Sequence, residues 1–171
     1  MTEETIVWQG KFITAKVNGK WEYVSRARGI RAAVILAIDG GHAILVEQFR
    51  VPLDCNCIEL PAGLIGDGDD ADEEDLTAAA RELEEETGYR AGQMESLGEF
   101  WSSPGMVTES YSLIRAHDLV KVSEGGGTES ENITVHRVAL DRLEDFIAER
   151  RALGDAIDGK LLMLMGPRLL G

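Results

Sequence analysis

Between Asp67 and Glu86 the chain carries eleven acids and a single base, Arg81. Leu76, Ala79, Ala80, Leu83 and Thr87 recur at helical spacing, which predicts a helix over about Leu76–Thr87 with that face toward the core. Gly88 then stands where a helix is closed by a left-handed residue. On this helix Glu82, Glu85 and Glu86 share a second face. Like charges at such spacing cost a helix about 0.2–0.5 kcal/mol per pair, and anions near its C-terminal end also oppose the helix dipole. A hard divalent cation removes the conflict, because it draws several carboxylate oxygens to one point. Mg²⁺ in particular keeps coordination positions for substrate phosphates. The competing account is a solvated acidic helix with an Arg81–Glu85 pair at i, i+4.

These residues must be held by a scaffold, and the rest of the sequence describes one. Lys11–Val17 and Lys20–Arg26 read as strands around the turn Asn18-Gly19. Arg31–Ile38 and Ala43–Arg50, rich in Val, Ile and Leu, read as a second hairpin around Asp39–His42 that runs through a sheet centre. Pro61–Asp75 is a Gly- and Asp-rich loop ahead of the acidic helix. Further strands are expected near Met94–Trp101, Ser110–Ala116 and Ile133–Leu140, with a flexible loop over Ser123–Ser130. Asp141 caps a second helix running to about Leu153, and Asp155–Leu170 reads as a third helix broken at Gly166-Pro167. The pattern predicts an α+β fold, an α/β/α sandwich with a mixed sheet between helices and an N-terminal antiparallel hairpin.

Composition limits the function. The 171 residues suit one domain; 44% are hydrophobic and 28% charged, an ordinary globular balance. A net charge of −14 excludes a polyanionic partner such as nucleic acid or an anionic membrane surface, though metal ions at a site invert the local sign. The acidic start Met1–Thr5 has no signal-peptide pattern and no apolar run is long enough to span a bilayer, so a cytoplasmic location is expected. Cys55 and Cys57, one residue apart, are expected to be reduced thiols. His42, His117 and His136 are isolated, and none is assigned to a site.

The order of residues settles the choice at the helix. Arg81-Glu82-Leu83-Glu84-Glu85-Glu86-Thr87-Gly88-Tyr89, after a Gly-rich loop, resembles the core of the Nudix box. Val46–Arg50 followed by Glu59-Leu60-Pro61-Ala62-Gly63 resembles the approach to that box in the ADP-ribose pyrophosphatase branch. The resemblance implies a Nudix fold and a single hydrolase domain over 1–171. Strands within about 1–28 would be exchanged in a homodimer. It also implies Mg²⁺, or Mn²⁺, as cofactor, with two or three ions when substrate is bound.

By the same resemblance Glu82, Glu85 and Glu86 are metal ligands, with Ala62 meeting a metal through its carbonyl, and Arg81 orients the glutamates. Gly63 to Arg81 spans 18 positions (81 − 63), four more than the family's usual spacing, which leaves the role of Glu73 open. Pro104 follows Gly88 by 16 positions (104 − 88), as in ADP-ribose pyrophosphatases. Glu129-Ser130-Glu131 resembles that branch's Glu-x-Glu segment, with Glu129 as general base and Glu131 at a metal. Arg50 is a phosphate clamp candidate; Glu59 and Glu109 are further substrate contacts, and Trp8, Trp21, Phe49 or Trp101 are aromatic candidates for stacking on a base. The implied reaction is hydrolysis of a nucleoside diphosphate-sugar, foremost ADP-ribose to AMP and ribose 5-phosphate. GDP-mannose, another sugar nucleotide or a dinucleotide is the alternative substrate. A non-catalytic ADP-ribose-sensing domain is the alternative of another class, and it would be expected to lack box glutamates that are present here.

Overall fold

The structure is a computed structural model that describes residues 3–26, 31–65, 74–128 and 131–169. At the N-terminus β1 (Thr5–Gln9), β2 (Ile13–Asn18) and β3 (Trp21–Arg26) form a three-stranded antiparallel sheet. The expected hairpin is present, but Asn18 pairs with Trp21, so the turn is Gly19-Lys20. Gly19 at φ 61° takes the first central position, where a two-residue turn needs positive φ. β1 is an added strand that its short, polar-edged sequence did not announce.

β4 (Arg31–Asp39) and β5 (His42–Arg50) form the central hairpin, turning at Gly40-Gly41 with φ 51° and 77°. They pair only beside the turn, at Ile38–Ala43 and Asp39–His42, and then diverge. β5 continues against β6 (Cys55–Glu59), and β4 against β7 (Ala62–Ile65). After α1 (Asp75–Thr87) come β8 (Tyr89–Arg90), β9 (Gln93–Trp101), β10 (Ser110–His117) and β11 (Val120–Lys121). β10 joins β4 in parallel and β9 antiparallel, while β12 (Thr134–Ala139) pairs with the far side of β5. Among the described residues the result is an eight-stranded mixed sheet, branched where β4 and β5 part.

Two apolar layers hold helices to this sheet. Ala78, Ala79 and Leu83 of α1 pack on Ala33, Ile35, Ile44 and Ile114. On the other face, Leu143 and Ile147 of α2 (Leu143–Ala152) and Leu164 of α3 (Leu162–Leu169) pack on Val34, Leu45 and Ile58. A 3₁₀ turn over Leu140–Arg142 precedes α2, so the N-cap falls on Arg142 and not on Asp141. The tail also departs from expectation. A short strand, β13 (Ala156–Ile157), extends the sheet beside β6, and α3 runs through Gly166 and Pro167 unbroken. Among the described residues no helix is long and apolar enough to cross a membrane. Trp8, Trp21, Phe49 and Trp101 are all more than half exposed, so none belongs to the core.

Candidate active site

The rotation of α1 decides which glutamates converge. At 3.6 residues per turn, Glu86 lies about 20° around the axis from Ala79, Glu82 about 60° and Glu85 about 120°. Ala79 is fully buried, so Glu86 belongs to the packed face and is only 4% exposed. The sequence pattern put the three glutamates on one polar face with Leu76 in the core; instead Leu76 is exposed and Ala78 is buried. Tethers fix this rotation. Asp75 accepts a hydrogen bond from Ser112 (2.6 Å) and pairs with Arg31 (2.8 Å), linking the first turn to β10 and β4.

Glu82, Glu86 and Glu131 line one cavity of about 400 Å³, with Arg26, Gln48, Arg50 and Gly63. It opens where β4 and β5 have diverged. A Cβ on Gly63 would overlap the Glu82 carboxylate carbon, so glycine alone lets that side chain lie against the strand. Ala62 enters through its amide N–H, which donates to Glu86 Oε2 (3.0 Å). Glu131 Oε2 accepts from the Thr128 amide (2.7 Å) and hydroxyl (2.9 Å).

Other predicted residues take supporting positions. Arg81 bridges Glu82 (2.9 Å) and Glu85 (3.3 Å), and the Glu85 side chain, 49% exposed, is not among those lining the cavity. Glu59 is buried and grips Arg50 with two bonds, Nε to Oε1 at 2.5 Å and Nη2 to Oε2 at 2.9 Å. Glu109 holds Arg26 through one oxygen, Oε1, which lies 2.5 Å from both Nε and Nη2. Arg26 and Gln48 were not singled out in the sequence; Arg26 looks like an ordinary strand end, and no local pattern links it to Glu109, 83 residues away. Pro104 lines a different cavity, of about 620 Å³, with Trp21, Tyr23 and Val107 between the N-terminal sheet and the loop after β9. Glu73 and Glu129 lie outside the described residues. Cys57 is buried and its thiol is pushed up to about 12, chiefly by burial and then by Glu59 and Asp158, so it is an inert packed thiol.

The electrostatics are one-sided. Burial raises Glu86 to about 8; the Ala62 amide opposes this, the Glu82 and Glu131 carboxylates reinforce it, and Arg50 opposes it weakly. Glu82 is raised too, mainly by burial, against the pull of Arg81. Three carboxylates, hard oxygen donors, thus face a shared space with more negative charge than it can neutralise, which is the environment a divalent cation fits. Among the described residues no three acidic, histidine or cysteine side chains yet stand at ligating spacing, so a cation would have to draw them together.

Comparison with known proteins shows the family and the fold. Residues 27–157 match the NUDIX domain. The methanol dehydrogenase activator of Bacillus methanolicus is 38% identical over 120 residues, 70% of this chain and 63% of that protein. The ADP-ribose pyrophosphatase of Bacillus subtilis (strain 168) is 35% identical over 169 residues, 91% of this chain and 88% of that one. A GDP-mannose pyrophosphatase of Salmonella typhimurium is 35% identical over 130 residues, 71% of this chain and 63% of the relative. Two of these three relatives are therefore matched over less than two thirds of their length. A solved structure, described as an ADP compounds hydrolase, superposes with a TM-score of 0.70 at 23% identity, covering 99% of this chain and 92% of that one, and bears on the fold alone.

Proposed function

The chain belongs to the Nudix family as one of its hydrolases, and from that premise we propose that it cleaves the pyrophosphate of a nucleoside diphosphate-sugar, foremost ADP-ribose to AMP and ribose 5-phosphate, with Mg²⁺. The observation that carries the reading is the meeting of Glu82, Glu86 and Glu131 with Arg26 and Arg50 in one cavity. A pyrophosphate needs both signs there: carboxylates for divalent cations and guanidinium groups for its oxygens. The chemistry that bound Mg²⁺ supplies is charge neutralisation and a water of lowered pKa.

The protein's own groups do the rest. Glu82, Glu86 and Glu131 would hold the cations, with Glu85 a further ligand if its side chain turned from Arg81 toward them, and Arg81 fixes the Glu82 carboxylate. Glu129 accepts the proton of the attacking water, which displaces one phosphate ester in line from the other. Arg50, steadied by Glu59, and Arg26, steadied by Glu109, bind phosphate or ribose oxygens. The similarity to an ADP-ribose pyrophosphatase over 91% of the chain supports ADP-ribose; the similarity to a GDP-mannose pyrophosphatase makes GDP-mannose the second reading.

We also propose a homodimer through the N-terminal sheet. Ile6, Val7, Trp8 and Trp21 on β1 and β3 are each more than half exposed, an apolar surface suited to a second copy. The deciding experiment for the substrate is a panel of nucleoside diphosphate-sugars with Mg²⁺, reading phosphate freed by an added phosphatase. Hydrolysis of ADP-ribose ahead of GDP-mannose is expected. Inactivity on the whole panel, with Mg²⁺ bound, would leave a sensor domain as the better account.

A further inference from the structure

An α-helix ends with four carbonyls that have no partner within it. In α1 these belong to Glu84, Glu85, Glu86 and Thr87, and every one is taken. The Gly88 amide donates to Glu84 O (2.9 Å), the Gly127 amide to Glu85 O (3.0 Å) and the Gly126 amide to Glu86 O (2.8 Å). The Lys121 ammonium donates to Thr87 O (3.0 Å). The loop after β11, expected to be flexible, is thus docked on the end of the acidic helix. Its N–H dipoles, with the charge of Lys121 at the end of β11, meet the helix end that the glutamates most crowd.

The joint is built from glycine on both sides. Gly88, Gly125, Gly126 and Gly127 all have positive φ, 71°, 70°, 111° and 70°. A Cβ on Gly88 would overlap the Ser123 carbonyl oxygen, and one on Gly125 would come within 2.7 Å of Glu86 O. A Cβ on Gly127 would stand 2.6 Å from Glu131 Oε2 and 2.9 Å from Ile133 Cδ1. Immediately beyond the joint, Thr128 holds the Glu131 carboxylate with its amide and hydroxyl, and the Ile133 amide returns to Gly126 O (3.1 Å).

We infer that the segment Gly125–Thr128 is a positioning device: it uses the backbone carbonyls of Glu85 and Glu86 as its anchor and so sets where the Glu131 carboxylate stands relative to Glu86. The loop's carboxylate is then registered to the helix's own ligand residues. The inference rests on the reading of this cavity as the metal site.

The test is Gly127→Ala, with Mn²⁺ affinity measured by electron paramagnetic resonance and kcat and KM measured on ADP-ribose. Misplacing Glu131 should weaken Mn²⁺ and lower kcat by about 10- to 100-fold, with KM changed far less. A purely structural role would lower Tm and leave Mn²⁺ affinity per folded molecule as in wild type; that result overturns the inference. If Gly127→Ala does not fold, Thr128→Val decides. It removes the hydroxyl donor to Glu131, and Thr128→Ser restores it. Weakened Mn²⁺ in the valine variant with recovery in the serine variant supports the device, and wild-type binding in both overturns it. Wild-type protein that takes up no Mn²⁺ would instead overturn the metal-site reading itself, and the inference with it.

Discussion

Glu47 and Gln48 are neighbours on β5, and their side chains leave opposite faces of the strand. On the Glu47 side, two largely buried carboxylates share one largely buried guanidinium. Glu47 meets His136 (2.7 Å), Arg150 (2.6 Å) and Asn56 (2.8 Å), and Arg150 also meets Asp155 (2.7 Å). On the Gln48 side the match is poorer: Arg81 pairs with Glu82 (2.9 Å), while Arg26 and Arg50, which line the cavity with Glu86 and Glu131, are each already gripped by a carboxylate outside it, Glu109 and Glu59. Folding alone favours the first arrangement, since buried charge is tolerated when paired. The second lowers stability and persists where function needs it.

The sharpest way to break the comparison is Glu86→Gln. The amide keeps an acceptor for the Ala62 N–H but removes a ligand charge, so turnover with Mg²⁺ should fall about a thousandfold. The fold should remain, and in the presence of a chelator the variant should melt higher than wild type at pH 8, because an uncompensated buried charge has gone. Near-normal Mg²⁺-dependent activity would remove Glu86 from the metal site.

The balanced side should answer in the opposite sense. Arg150→Met leaves Glu47 and Asp155 buried without their guanidinium, a loss of about 3 kcal/mol. The lower end of the usual range is expected, because Asp155 Oδ2 lies 2.7 Å from Arg150 Nη2 without hydrogen-bond geometry and Arg150 Nε has no hydrogen bond among the described residues. Denaturant unfolding measures the loss, and kcat of the folded fraction should stay close to wild type. A variant as stable as wild type would show that the pairing contributes nothing net.

Much of this contrast lies beyond what the sequence makes legible. The helix, its closing Gly88 and the central hairpin follow from local periodicity and turn chemistry, and they appear where expected. The face that Glu86 joins does not follow, because a glutamate scores as polar and the rotation depends on tertiary contacts, among them those of Asp75 with Ser112 and Arg31. Arg26 reaches the cavity through Glu109, and the glycine loop reaches α1 through backbone amides; both are contacts between distant segments that leave no local mark. β13, two residues long beside β6, is likewise set by tertiary pairing.

A pH series sharpens the same comparison. Glu86, ordinarily near 4.5, stands at about 8 in the folded chain. The folded state therefore holds this proton more tightly than the unfolded one. Its stabilising effect is complete below about pH 4.5 and is lost as pH rises through about 8. Other carboxylates titrate with the opposite sign, so the informative quantity is the stability of wild type minus that of Glu86→Gln, both with chelator. That difference should fall by a few kcal/mol between pH 5 and pH 8, and Mg²⁺ should restore wild type. A difference independent of pH would mean that Glu86 is not held against its charge.

The smallest effect is expected at the edge of the cavity, with Glu109→Gln. Both the Arg26–Glu109 pair and the Arg50–Glu59 pair present a guanidinium to the cavity, but the first is a third exposed on each side and water screens it. A neutral glutamine keeps one acceptor for Arg26 and loses the ion pair, so Arg26 should wander more and lose less than its whole contribution. KM for ADP-ribose should rise up to about tenfold, or ~1.4 kcal/mol. Both kcat and the Mg²⁺ requirement should hold, since no metal ligand is touched. A fall in kcat at constant KM would move Glu109 into the chemical step. No change in either constant would take Arg26 off the substrate and leave Arg50 as the cavity's working cation.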